Sequence, residues 1–63
     1  MVEVFMRRRD VEKVTGLPRS TIYLMMAEGR FPKPIRISSK SVAWLESDIA
    51  NWQEQRIRES EVA

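Results

Sequence analysis

Thr15-Gly16-Leu17-Pro18-Arg19-Ser20-Thr21-Ile22-Tyr23 is the stretch on which the fold turns. Gly16 stands where a left-handed cap or tight turn must end a helix. Pro18 suits the first turn of the next helix, where its missing N–H would have no partner anyway. Two helices joined through Thr15-Gly16-Leu17-Pro18 form a tight α-turn-α unit, because the connection is too short for a loose loop. Upstream, Val11 and Val14 lie three apart, the spacing of one helical face. Asp10 and Glu12 sit near the start of that segment, where acidic groups suit the helix dipole. The first helix is predicted at about 9–15. The second runs over about 18–28 and is ended by Gly29. Wound at about 100° per residue, it places Pro18, Ile22, Met25, Met26 and Gly29 on one face, predicted to be core. Ser20, Tyr23, Leu24 and Ala27 fall on the other face, with Arg19 on the flank.

Outward from this unit the pattern changes period. Phe31-Pro32-Lys33-Pro34 cannot be helix, because residues before proline are pushed toward extended conformations. Ile35-Arg36-Ile37 alternates apolar and charged, as a half-buried strand does. Ser38-Ser39-Lys40-Ser41 is a polar turn, and Val42-Ala43-Trp44-Leu45 reads as a second strand. Ser47 suits an N-cap with Asp48 behind it, so a third helix is predicted at about 48–58. Its stripe is Ile49 and Trp52, extended to Ile57. Residues 59–63 are predicted to fray, and 2–6 to form a short extended arm. Met25, Met26, Trp44 and Trp52 are read as core rather than as a stacking platform for single strands. The expectation is one domain over 1–63, ordered at about 6–58. Its class is mainly α with a small β-hairpin: three helices plus a two-stranded wing, a winged helix-turn-helix.

Composition narrows the function. A chain of 63 residues buries only about 60% of its unfolded surface. It contains no cysteine and no histidine. Disulfides, most zinc chemistry and the histidine-based nucleophile systems are thereby excluded. Carboxylates and lysines remain, but a deep cleft between them is hard to build at this size, and an enzyme is not expected; nor is a cofactor or a metal. No apolar run approaches the roughly 18 residues that a membrane span needs. The basic cluster of 7–9 follows a very short apolar stretch, the reverse of a secretory signal. A cytoplasmic protein is expected. The net charge is only +2, but it is unevenly spread. Residues 7–40 hold nine basic and three acidic side chains, whereas 41–63 hold two basic and five acidic ones. Such asymmetry suggests a face made for a polyanion.

The second helix of a helix-turn-helix lies in the DNA major groove, about 12 Å wide, while the first braces it. It must bury one face and present polar or small groups near its N-terminus on the other. Arg19 and Ser20 sit in that first turn, with Tyr23 one turn on, within reach of a phosphate or a base edge. Ala27 permits close approach. Thr21 turns partly inward, and both Ser20 and Thr21 also suit capping of the helix start. At the hairpin tip, Lys40 and the hydroxyls of Ser38, Ser39 and Ser41 can reach a phosphate backbone, positioning the protein without reading sequence. The DNA-binding set is therefore Arg19, Ser20, Thr21, Tyr23, Ser39 and Lys40, and the partner is double-stranded DNA, with a homodimer or cooperative assembly open. Two other functions fit the same residues. One is an excisionase-type factor that bends DNA for a recombinase. The other is a protein-interaction module centred on an exposed Leu24.

The segment 15–23, followed in register by Glu28-Gly29-Arg30-Phe31-Pro32-Lys33-Pro34 and Trp44-Leu45-Glu46-Ser47-Asp48-Ile49, resembles the AlpA family of phage-encoded regulators. The resemblance runs from about Met6 to Trp52. It implies a winged helix-turn-helix related to MerR-like and excisionase domains, acting as a DNA-binding transcriptional regulator of a prophage or integrative element. By position, Arg19, Ser20 and Tyr23 would belong to the recognition helix, and the turn around Ser39 and Lys40 to the wing. Three features depart from the family pattern. Leu24 stands where arginine is common, Arg8 where a buried aliphatic residue is usual, and the wing turn lacks glycine.

Overall fold

The computed structural model describes residues 2–62. In chain order the elements are β1 (Phe5–Met6), α1 (Arg8–Thr15), α2 (Arg19–Ala27), β2 (Ile35–Ser38), β3 (Ser41–Leu45) and α3 (Glu46–Val62). The fold is mostly helical with a small antiparallel hairpin. That hairpin gains a third strand, because β1 pairs with β3 and gives the order β1-β3-β2. The predicted arm thus joins the sheet through Phe5↔Leu45 and Met6↔Trp44. The amide of Glu46 donates to the Val4 carbonyl at 2.8 Å and extends the ladder by one bond.

Gly16 does what its position demands, adopting φ 75° and donating its N–H to the Glu12 carbonyl. Thr15 tightens the turn further. Its hydroxyl donates to the Val11 carbonyl at 2.6 Å and accepts from the Leu17 amide at 3.3 Å. Pro18 is the N-cap of α2, extended at ψ 164°, rather than its first helical residue. No side chain caps that end, so the capping role expected of Ser20 and Thr21 is not found. At the other end Gly29, at φ 74°, closes a Schellman motif. The amide of Arg30 reaches the Met25 carbonyl at 2.8 Å, and that of Gly29 reaches Met26 at 3.1 Å.

Val11, Ile22, Met25, Phe31, Trp44 and Ile49 make the core, with Met6, Leu17, Met26 and Trp52 packed at its edge. Phe31 was not foreseen as core. It meets Trp52 edge-on at 5.0 Å between centroids. Both indoles also pin the segment around it. Trp44 Nε1 donates to the Pro32 carbonyl at 2.9 Å, and Trp52 Nε1 donates to the Arg30 carbonyl at 3.0 Å. The link from α2 to the sheet is therefore held at two carbonyls and one ring, although it has no regular structure.

Several expectations need correction. Val14 is 48% exposed; α1 has only two turns, and Val11 alone reaches the centre of its buried side. Pro18 and Gly29, assigned to the buried face of α2, are exposed at its ends. Ile35 and Ile37 are also exposed, because no helix covers the outer side of β2 and the pairing with β3 shifts between Arg36 and Ser38. Ile57 lies beyond the packed part of α3 and is exposed. Ser47 is not an N-cap, since α3 begins at Glu46 directly after β3. Its hydroxyl donates to Glu3 Oε1 at 3.1 Å instead. Helix continues past the predicted fraying point to Val62, carried by ion pairs between Arg58 and Glu54 and between Arg56 and Glu59.

Candidate nucleic-acid interface

Because Ile22 and Met25 anchor α2 to the core, its opposite side must face outward. Arg19, Ser20, Tyr23, Leu24 and Ala27 are all exposed there. The Arg19 guanidinium lies over the Tyr23 ring, its carbon 5.4 Å from the centroid. At an exposed site such a contact is worth about 0.5–1 kcal/mol. It aligns the cation and the phenol, one helical turn apart, on a single edge. Pro18, Arg19, Ser20 and Tyr23 together border a shallow depression.

Tyr23 also borders a second concavity, of about 310 Å³, with Arg7, Arg8, Arg9, Lys40 and Val42. Four of its six lining residues carry positive charge. Of the sequence-predicted site residues, Arg19, Ser20 and Tyr23 meet in the first depression, and Tyr23 and Lys40 in the second. Thr21 and Ser39 border neither. Thr21 is half-buried on the inner flank of α2, and Ser39 stands exposed in the turn beside Lys40. The turn is held by the Lys40 amide donating to Ser38 Oγ at 3.3 Å.

The arginines at 7–9 were absent from the predicted set. Their charge was counted, but charge alone does not say which surface they share. The strand register does. The pairing Met6↔Trp44 sets the chain beside β3 immediately before α1 opens at Arg8, and from there Arg7, Arg8 and Arg9 border the same concavity as Lys40 and Val42. The run's position at the entry to α1, just after an extended segment, was the available signal.

Ion pairing sharpens the asymmetry. Arg8 pairs with Glu12, Arg30 with Glu28, Arg56 with Glu59 and Arg58 with Glu54. Arg8 stands where an aliphatic residue was the familiar choice, and its ion pair with Glu12 accommodates it half-buried. Among the described residues, the seven cations without an acidic partner are Arg7, Arg9, Lys13, Arg19, Lys33, Arg36 and Lys40. All lie between residues 7 and 40. In that span Asp10 is the one acidic side chain not paired to a cation. Both cations of α3 are matched within the helix. The unmatched positive charge thus lies on the part of the chain from Arg7 through the hairpin, and Arg7, Arg9, Arg19 and Lys40 border the two depressions that share Tyr23.

Among the described residues, no group of three or more carboxylate, thiol or imidazole side chains could hold a metal ion, and no helix is long and apolar enough to cross a membrane. Residues 4–57, from the start of the sheet through most of α3, match the family model described as Prophage CP4-57 regulatory protein (AlpA). A relative, the uncharacterized protein ORF88 of Enterobacteria phage P4, is 42% identical over 55 residues, which is 87% of this chain. The chain spans 62% of that relative's length. The matched region contains both concavities, the turn at Gly16 and the pinned segment at Phe31. A match over this much of the chain establishes its kinship: it belongs to the AlpA family of prophage regulatory proteins.

Proposed function

We propose that the protein is a sequence-specific double-stranded DNA-binding regulator of a prophage or integrative element, acting in the cytoplasm. In this reading α2 enters the major groove, and the β2–β3 hairpin lies against the phosphate backbone as a wing. The carrying observation is the outward edge of α2, where Arg19, Ser20 and Tyr23 are exposed and run into a concavity lined by four cations. Uncapped amides at the N-terminus of α2 add a positive dipole end to the same edge. Arg19 and Ser20 would address base edges, and Lys40 the backbone. The AlpA family is a family of regulators rather than of enzymes, which agrees with the shallow, open surface.

Selection of bound sequences from random duplex DNA tests this reading. A discrete motif is the expected result, and its symmetry would give the number of chains per site. Extended, cooperative coverage with bending would instead assign the protein to recombination rather than to transcription. Recovery of no sequence above background would remove the DNA-reading role.

Leu24 favours a second reading. It is 56% exposed on the same face as Tyr23, where arginine would have extended the cationic edge. An apolar side chain there suits contact with a protein. Salt separates the two readings, because each phosphate neutralised contributes a log–log slope of about −0.9, whereas an interface centred on Leu24 would be nearly insensitive.

A further inference from the structure

We propose that Arg7, Arg9, Lys40 and Tyr23 form a seat for one backbone phosphate of the bound duplex, shared between the entry to α1 and the wing. The proposal rests on the DNA-binding reading and adds to α2 and the hairpin a third contact element, the start of α1 with Arg7 and Arg9.

Three elements converge on this place for separate reasons. The Met6↔Trp44 pair holds the chain against β3 just before α1, so that Arg7 and the first turn of α1 border a concavity with Lys40 and Val42 of the hairpin. Lys40 occupies the tight turn before β3. Tyr23 arrives because Ile22 and Met25 hold the opposite side of α2 in the core. The result is a concavity in which Arg8 is neutralised by Glu12, while Arg7, Arg9 and Lys40 have no acidic partner. Like charges gathered in one hollow repel one another and burden the free protein. An anion placed among them removes that repulsion. The surroundings match a phosphodiester: guanidinium groups bind its oxygens in a fork, an ammonium adds a point charge, and the phenol donates one hydrogen bond. Val42 offers a small apolar wall for the adjoining sugar. Because Tyr23 borders both depressions, the seat sets the register of α2 in the groove. Tyr23 is assigned here to the backbone rather than to a base edge.

The test compares the wild-type chain with the variant Arg7→Gln, Arg9→Gln, Lys40→Gln on a short duplex recovered by selection, titrated with salt. Closure on one shared phosphate predicts that the triple variant lowers the log–log slope by about 0.9, whereas cations serving separate phosphates would lower it by about 2.7. The second result, or an unchanged slope, overturns the shared seat while leaving DNA binding intact. If the wild-type chain shows no salt-dependent duplex binding, both this proposal and the DNA-binding reading fall. The second arm changes only the DNA, scanning neutral methylphosphonate linkages along each strand. One linkage per bound chain is expected to weaken the wild type about tenfold and the triple variant hardly at all. Equal sensitivity of the two proteins at every linkage overturns the proposal. Thermal melting at low salt separates this role from a structural one: the triple variant is expected to melt no lower than wild type, and a clear drop would assign the arginines to the fold instead.

Discussion

At the residue scale, the molecule divides its side chains sharply between those that hold it together and those that face outward. Trp44 is fully buried, and its indole N–H holds the Pro32 carbonyl. Trp44→Ala is expected to cost about 3–5 kcal/mol in urea denaturation, plus the loss of that hydrogen bond. A domain this small has little stability to spare, so the variant should be largely unfolded at ambient temperature. Arg19 and Tyr23 touch each other and solvent. Arg19→Ala and Tyr23→Ala should each weaken binding to a selected duplex about tenfold or more, with an unchanged melting temperature. Normal affinity in both variants would take α2 out of the recognition role. Ile22, Met25 and Trp44 were legible as core because their spacing on helix and strand left them one direction to face. Phe31 was not, because it lies in the irregular segment leading into Pro32 and Pro34, where no period applies. The arginines at 7–9 were legible as charge, but their meeting with Lys40 depends on a strand pairing between positions far apart in the chain.

At the element scale, the turns were more legible than the helix ends. Gly16 and Gly29 both adopt the left-handed backbone that their positions required. A Cβ at Gly16 would meet no atom within 4 Å, so Gly16→Ala isolates the backbone effect. It is expected to lower stability by about 1 kcal/mol, measurable as a shift of the urea midpoint with no change in slope. The start of α3 was misread because Ser47-Asp48 looks the same whether it begins a helix or falls just inside one. What decides is that β3 passes into α3 with no intervening residue, a feature set by the β1–β3 ladder and invisible in local sequence. Ser47→Ala therefore should cost less than about 0.5 kcal/mol, against about 1 kcal/mol for a true N-cap. A larger loss would restore the capping role. The length of α3 was also underestimated, because its last turns are held by ion pairs along its own surface rather than by an apolar stripe.

For the whole molecule, the decisive quantity is the separation of charge. Net charge is small, yet every unpaired cation among the described residues lies between Arg7 and Lys40, while α3 neutralises its own. Under the proposed DNA-binding reading, association should therefore be oriented, with α3 turned away from the duplex. Lys40→Ala is expected to weaken binding to all duplex sequences by a similar factor, checked by comparing selected and scrambled duplexes. A loss confined to the selected sequence would mean that the hairpin reads bases. The outer side of the sheet tells a complementary story. Ile35 and Ile37 were expected to be half-buried from their alternation alone, but β2 is an edge strand with an irregular register, and both side chains stand exposed on it.

The seamless passage from β3 into α3 makes the last helix a lever about 25 Å long whose bearing is dictated at its root. Gln53 braces it further, its Nε2 donating to the Val14 carbonyl at 2.7 Å across to α1. If the hairpin lies on DNA as proposed, a tilt imposed on it passes through that junction into the root of α3. On that reading, a dye carried near residue 60 is expected to report the hairpin's adjustment on duplex binding, because no residue intervenes between β3 and α3.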